Sequence, residues 1–211
     1  MPAWTCASST DGPRARLNAL LLRPWVKPAV LLGCALPLVW LITAALADRL
    51  GANPAEALIR ALGDWTLRLL CLTLAVTPLR RWCGLSALAR WRRGLGLWAF
   101  CYGLLHLLAY AWLDQALAWR EIGADVVQRP FIAAGLAAWL IMLPLAATSF
   151  DAVIRWLGAA RWRCLHRAVY PAAGLALLHF YWMRSGKNDQ AEVWLYVALV
   201  VVLLAARWPR R

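Results

Sequence analysis

Acidic residues and histidines are scarce in this sequence of 211 residues, which holds ten Asp and Glu and three His. Charged side chains of both signs amount to only 16%, well below the roughly 25% of a soluble domain, so a water-soluble globular fold is excluded. Other absences narrow the chemistry. The six cysteines, Cys6, Cys34, Cys71, Cys83, Cys101 and Cys164, contain no CxxC pair, which argues against a thiolate metal site or a disulfide framework. The lack of CxxCH excludes c-type haem attachment. No GxGxxG follows a strand, so the chain has no nucleotide-binding domain of its own. Ten-residue segments of alternating polarity are missing too, which excludes a membrane β-barrel. No internal repeat, low-complexity tract or long linker divides the chain.

What remains is apolar. Hydrophobic residues make up 63%, mean hydropathy is +0.59, and there are 15 Trp, a residue favoured where apolar and aqueous media meet. The net charge of +13 would suggest a nucleic-acid partner, but long apolar runs separate the cations, and that reading is rejected. A bilayer core of about 30 Å takes about 20 helical residues. By that ruler six runs qualify, at 28–47, 62–80, 94–113, 131–149, 162–182 and 192–208. The predicted fold is an all-α integral membrane protein, a six-helix bundle over 28–208 preceded by a cytoplasmic tail over 1–27. Leu31-Leu32-Gly33-Cys34 superficially matches a lipoprotein cleavage box; the apolar run continues to Ala47, so an uncleaved anchor is expected.

Basic residues sort by loop. Sixteen fall on one side, in the tail, the second and fourth connections and the C-terminus, whereas six (Arg49, Arg60, Arg120, Arg129, Arg184 and Lys187) fall on the other with most of the acids. Both termini are therefore expected in the cytoplasm. Ten of the tryptophans (Trp25, Trp82, Trp91, Trp112, Trp119, Trp156, Trp162, Trp182, Trp194 and Trp208) lie near span ends, as an aromatic belt would.

All three histidines fall inside expected spans, His106 in the third and His166 and His179 in the fifth. Ionisable residues at membrane depth are costly and mark function. At a rise of 1.5 Å per residue, His106 lies about 18 Å from the cytoplasmic entry, at a depth similar to that of His179. Two imidazoles on separate helices, a macrocycle apart, suit bis-His ligation of a b-type haem. His166 precedes His179 by 13 positions, about 19.5 Å of helix, which suits a second, stacked haem. Against that, an ideal helix turns the two side chains roughly 140° apart, and the third span offers Arg92 and Arg93 opposite His166. Arg68 either meets a haem propionate, pairs with Asp64 at i, i+4, or snorkels. Gly96, Gly103 and Gly174 would admit a flat ring or simply allow packing, and Tyr110 would touch the cofactor or anchor the interface. Two other classes compete: a small transporter or channel with a histidine-lined proton or metal path, and a structural assembly factor.

Arg92-Arg93-Gly94-Leu95-Gly96-Leu97-Trp98 leading to Leu105-His106-Leu107, Arg129-Pro130-Phe131, Thr148-Ser149, Leu165-His166-Arg167 and Leu178-His179-Phe180, with Thr77-Pro78-Leu79, closely resemble the MsrQ (YedZ) family. The resemblance runs in order from the first span onward. It implies a bacterial inner-membrane, multi-pass subunit related to ferric-reductase transmembrane domains. Such a subunit has no catalytic residue of its own and passes electrons from the quinone pool or a cytoplasmic flavin reductase to MsrP. That periplasmic molybdopterin enzyme, with which it forms a heterodimer, reduces methionine sulfoxide in envelope proteins. The implied cofactors are haem b, one or two, and FMN. His106 and His179 correspond to the outer haem pair and His166 to the third family histidine, while Arg92 and Arg93 either contact FMN phosphate or anionic lipid or serve orientation in the membrane alone. Larger relatives carry a further His on the third helix; this sequence does not.

Overall fold

A computed structural model describes residues 12–185 and 190–207. Cys6, Lys187, Asp189, Trp208, Arg210 and Arg211, which entered the counts above, lie outside the described residues. Within them the chain is helical and no strand occurs. The α-helices are α1 (Pro13–Leu21), α2 (Val26–Gly33), α3 (Leu36–Leu46), α4 (Pro54–Cys83), α5 (Arg92–Ala109), α6 (Trp119–Gln128), α7 (Pro130–Ala147), α8 (Asp151–Leu157), α9 (Ala159–Leu165), α10 (Val169–Ser185) and α11 (Ala191–Ala205). Three stretches are long and apolar enough to cross a membrane: Val26–Leu46, Arg92–Asp114 and Pro130–Ala147. Ala191–Ala205 is a shorter apolar helix. The second expected span lies within α4, whereas the fifth takes in the end of α9, a short 3₁₀ turn and most of α10.

The first expected span is broken. Pro37 has no N–H to continue the ladder of α2, so the backbone turns at Gly33–Ala35 and restarts as α3. Tyr102, fully buried on α5, repairs the break: its hydroxyl donates to the Cys34 carbonyl at 2.8 Å and accepts the Leu38 N–H at 3.0 Å. In a medium without water, this one side chain satisfies backbone groups that nothing in the hydrocarbon could.

α4 outlasts its apolar run because its start is well capped. The Asn53 side chain accepts the Glu56 N–H at 3.2 Å, Pro54 opens the first turn, and Gly84 at φ 70 closes the last. This helix lies along α5, and α7 lies along α10, so the core is two helix pairs. Leu69, Leu70, Leu74, Ala99, Tyr102, Met142, Ala172 and Ala173 join them. α11 closes one side over Leu67, Cys71 and Phe180.

The outside is apolar as well: Leu46 and Val127 are 84% exposed and Trp156 is 82% exposed. A surface of that kind belongs to a membrane protein. Most of the expected belt tryptophans are indeed exposed, but Trp162 turns inward and donates its indole N–H to the Thr148 carbonyl at 2.9 Å.

Within the expected tail, the described residues carry a helix, α1. α1 docks on the short turn Ser86–Arg90 through Asn18, which accepts the Ala87 N–H at 3.0 Å, while Arg90 donates to the Leu22 carbonyl at 2.8 Å. Charge pairing also distinguishes the two ends of the bundle. At the end where α4 and α7 begin, three arginines have carboxylate partners: Arg60 with Glu56, Arg129 with Asp125 and Arg184 with Glu192. At the other end, among the described residues, only Arg93 has one, the exposed Asp151. The Arg93 guanidinium holds that carboxyl below the usual carboxylate range.

Candidate functional site: a paired-histidine cavity

His106 of α5 and His179 of α10 meet across the bundle, with ring centroids 6.1 Å apart and planes at 78°. They line one cavity of about 300 Å³ whose walls are otherwise mainly apolar, from α4, α5, α7 and α10. His106 Nδ1 donates to the Ile59 carbonyl at 2.8 Å, and His179 Nδ1 donates to the Phe131 carbonyl at 2.6 Å. A carbonyl oxygen only accepts, so Nδ1 of each ring carries the proton and Nε2 presents a lone pair. Neither Nε2 has a protein partner among the described residues. A metal-ligating histidine is held in this way, the bond at one nitrogen setting the tautomer and orienting the other.

The spacing fits an iron between the rings. Two metal–nitrogen bonds of about 2.0–2.1 Å plus two half-rings separate opposed imidazole centroids by roughly 6 Å. Among the described residues no cluster of three or more His, Cys, Asp or Glu could hold a bare metal ion. Two axial nitrogens and an apolar cleft instead suit an iron whose other ligands come from a macrocycle. Trp139 Nε1, in the cavity wall, is buried with no partner among the described residues.

Each histidine is seated by the same local device. Gly63 lies one helical turn after Ile59 on α4, and Gly135 one turn after Phe131 on α7. A Cβ on Gly63 would lie 3.1 Å from His106 Cε1, and a Cβ on Gly135 would lie 2.8 Å from His179 Nδ1. The missing side chains let each imidazole lie against the neighbouring helix within reach of its carbonyl. Neither glycine was singled out in the sequence. Of those that were, Gly103 borders this cavity, Gly96 borders a different one, and Gly174 has nothing within 4 Å of an added Cβ.

Polar groups gather at the mouth. α5 ends in a widened turn over Tyr110–Asp114, where the Gln115 N–H reaches back five residues to the Tyr110 carbonyl at 3.1 Å. The Tyr110 hydroxyl donates to Asp125 at 2.8 Å, Gln115 donates to the same carboxylate at 3.2 Å, and Arg129 pairs with it at 3.1 Å. Arg60 and Arg129 line the cavity, whereas Arg68 does not. The Arg68 Nε donates to the Tyr196 hydroxyl at 3.2 Å and its guanidinium lies 5.0 Å over the Trp65 ring.

His166 stands apart in a second cavity of about 320 Å³, lined also by Arg80, Arg92, Arg93, Thr73 and Ser149. Its ring lies 4.0 Å from that of Trp162, and its Nε2 is 3.3 Å from Thr148 Oγ1. The chain does not run as one helix from His166 to His179, because a single tight 3₁₀ turn, His166–Ala168, separates α9 from α10. The ideal-helix angle between them therefore does not apply. No second histidine faces His166 here.

Residues 62–177 match the family described as the ferric reductase like transmembrane component, a stretch that includes His106 and His166 and ends just before His179. Among curated proteins, the protein-methionine-sulfoxide reductase heme-binding subunit MsrQ of Polaromonas naphthalenivorans is 54% identical over 187 residues, 89% of this chain and 85% of the relative. The protein of the same name from Ralstonia nicotianae is 48% identical, covering 92% and 87%, and that from Rhodospirillum rubrum is 46% identical, covering 85% of each. The chain belongs to the MsrQ family. The resemblance drawn from its short motifs thus extends across nearly the full length of these relatives.

Proposed function

We propose that this protein is a haem b-containing electron-transfer subunit of the bacterial inner membrane, crossing it six times with both termini in the cytoplasm. In this reading it takes electrons from the quinone pool or a cytoplasmic flavin reductase. It delivers them to a periplasmic molybdopterin methionine sulfoxide reductase, MsrP, with which it pairs. The observation that carries the reading is the pair of Nδ1-anchored imidazoles, 6.1 Å apart in an apolar cavity. The relatives' names, which describe a heme-binding subunit of a methionine sulfoxide reductase, support it.

A haem held there supplies one-electron redox chemistry. The protein supplies the rest: His106 and His179 present Nε2, the Ile59 and Phe131 carbonyls fix the ring planes, and Leu67, Leu70 and Ile132 help keep water out. Apolar surroundings and fixed donors are the means by which a protein sets a haem's potential. His166 is retained as a ligand for a second haem. The cavity beside it, with Arg80, Arg92 and Arg93, is the place for the phosphate of FMN or of an anionic lipid, although Arg93 already pairs with Asp151.

The test is an absorption spectrum of the detergent-purified protein from haem-supplied cells. The dithionite-reduced sample is expected to show low-spin b-type bands. A spectrum without haem bands would refute the reading.

A further inference from the structure

We propose that Arg60 and Arg129 form a two-armed carboxylate clamp that takes the propionate groups of the haem and turns them toward the mouth of the paired-histidine cavity. The inference rests on the haem reading above and adds which residues orient the cofactor. Both arginines line the cavity, and they come from different helix pairs. Each also starts from the same backbone turn that anchors a histidine: Arg60 follows Ile59, whose carbonyl holds His106, and Arg129 precedes Phe131, whose carbonyl holds His179. Axial ligand and cation therefore move together on each side.

Each guanidinium is already aimed by an acid four residues earlier. Arg60 meets Glu56 at 2.5 Å, and the Arg129 Nε meets Asp125 at 3.1 Å. Asp125 is in turn fixed by Tyr110 and Gln115. Arg carries five N–H donors in a planar fork, so one carboxylate leaves further donors for a second. Neither arginine makes another side-chain hydrogen bond or close ion pair among the described residues, although Arg60 also acts electrostatically on Asp64. Besides the two histidines and Tyr110, whose hydroxyl is taken by Asp125, the other ionisable groups lining the cavity among the described residues are Asp64 and Asp114, which repel a carboxylate. Arg68 is committed to Tyr196 and Trp65 outside the lining. Among the described residues lining this cavity, Arg60 and Arg129 are the cationic arms that a macrocycle with two ionised carboxylates would meet.

The experiment uses the full chain in detergent, stripped of haem and reconstituted with haem b or with its dimethyl ester, which has the same ring and iron but no carboxylates. The wild-type protein is expected to bind haem b at least about tenfold more tightly than the ester, the effect of one charge-assisted hydrogen bond or more. Arg60→Gln and Arg129→Gln should each reduce that preference, and the double variant should abolish it while keeping the bis-histidine spectrum. Both single variants should also lower the midpoint potential, because each removes a positive charge that favours the reduced iron; Lys at either position should restore the potential better than the preference. A double variant, or stable single variants where the double does not fold, retaining the wild-type ratio would overturn the clamp alone. A wild-type protein that binds neither compound would overturn the haem reading and the clamp with it.

Discussion

The two cavities are nearly equal in size, about 300 and 320 Å³, yet they differ in what they can hold. Around His106 and His179 everything is paired: two histidines, two anchoring carbonyls, two seating glycines and two arginines, one set from each helix pair. Around His166 the construction is one-sided, with Thr148 and Trp162 on one flank and a row of arginines facing them. Size therefore does not tell the two sites apart. The ligand opposite and the bond behind each ring do.

The sharpest way to break this comparison is to remove one histidine at a time. His106→Ala or His179→Ala should eliminate the low-spin bis-histidine spectrum of the reduced protein. His166→Ala should leave that spectrum in place. A low-spin spectrum surviving in either of the first two variants would show that the pair is not the ligand set.

The seating glycines give the next largest effect. Gly135→Ala puts a Cβ 2.8 Å from His179 Nδ1, against backbone-anchored atoms that cannot move freely. Overpacking of this kind costs about 1–3 kcal/mol, and haem per protein after purification should fall accordingly. Gly63→Ala, at 3.1 Å, should do less, and Gly174→Ala, with nothing within 4 Å, should do nothing. Equal occupancy in all three would remove the symmetry argument.

Tyr102→Phe tests the scaffold, since it removes the hydroxyl that bonds two backbone groups of the broken first helix. Thermal stability should fall by about 1–2 kcal/mol with the reduced spectrum unchanged in shape. Smallest is the pair Arg93–Asp151 beside the arginine-lined cavity. Asp151 has its folded pKa lowered by Arg93, so its contribution is present above the ordinary carboxylate pKa of about 3.9 and disappears as pH falls through the lowered value. Because the carboxyl is exposed, thermal melts should show only a slight acid sensitivity, absent in Asp151→Asn.

Several of these features were legible in the chain itself. Scarce histidines inside apolar runs pointed to His106 and His179, because burying an imidazole without a purpose is costly wherever it occurs. The role offered to Arg68 shows the limit. Its position inside a span made it conspicuous, but Tyr196, 128 residues away, claims its guanidinium. Arg60 and Arg129 sit near helix starts, where sequence reads them as ordinary loop charges. The break in the first span was equally hidden, since Pro37 is compatible with a kinked or a restarted helix until Tyr102 is seen to fill the gap.

Composition and order alone determined that the chain is helical and apolar, that its cations are sorted by loop, and that all three of its histidines fall inside apolar runs. These follow from local physics: a backbone in hydrocarbon must satisfy its own hydrogen bonds, and each charge has a cost set by its own surroundings. The tertiary structure decided which turn accepts each imidazole proton, which glycines give way and which arginines face the cavity. Those contacts join residues 47 and 48 positions apart, and no periodicity within one helix records how the next helix is placed against it.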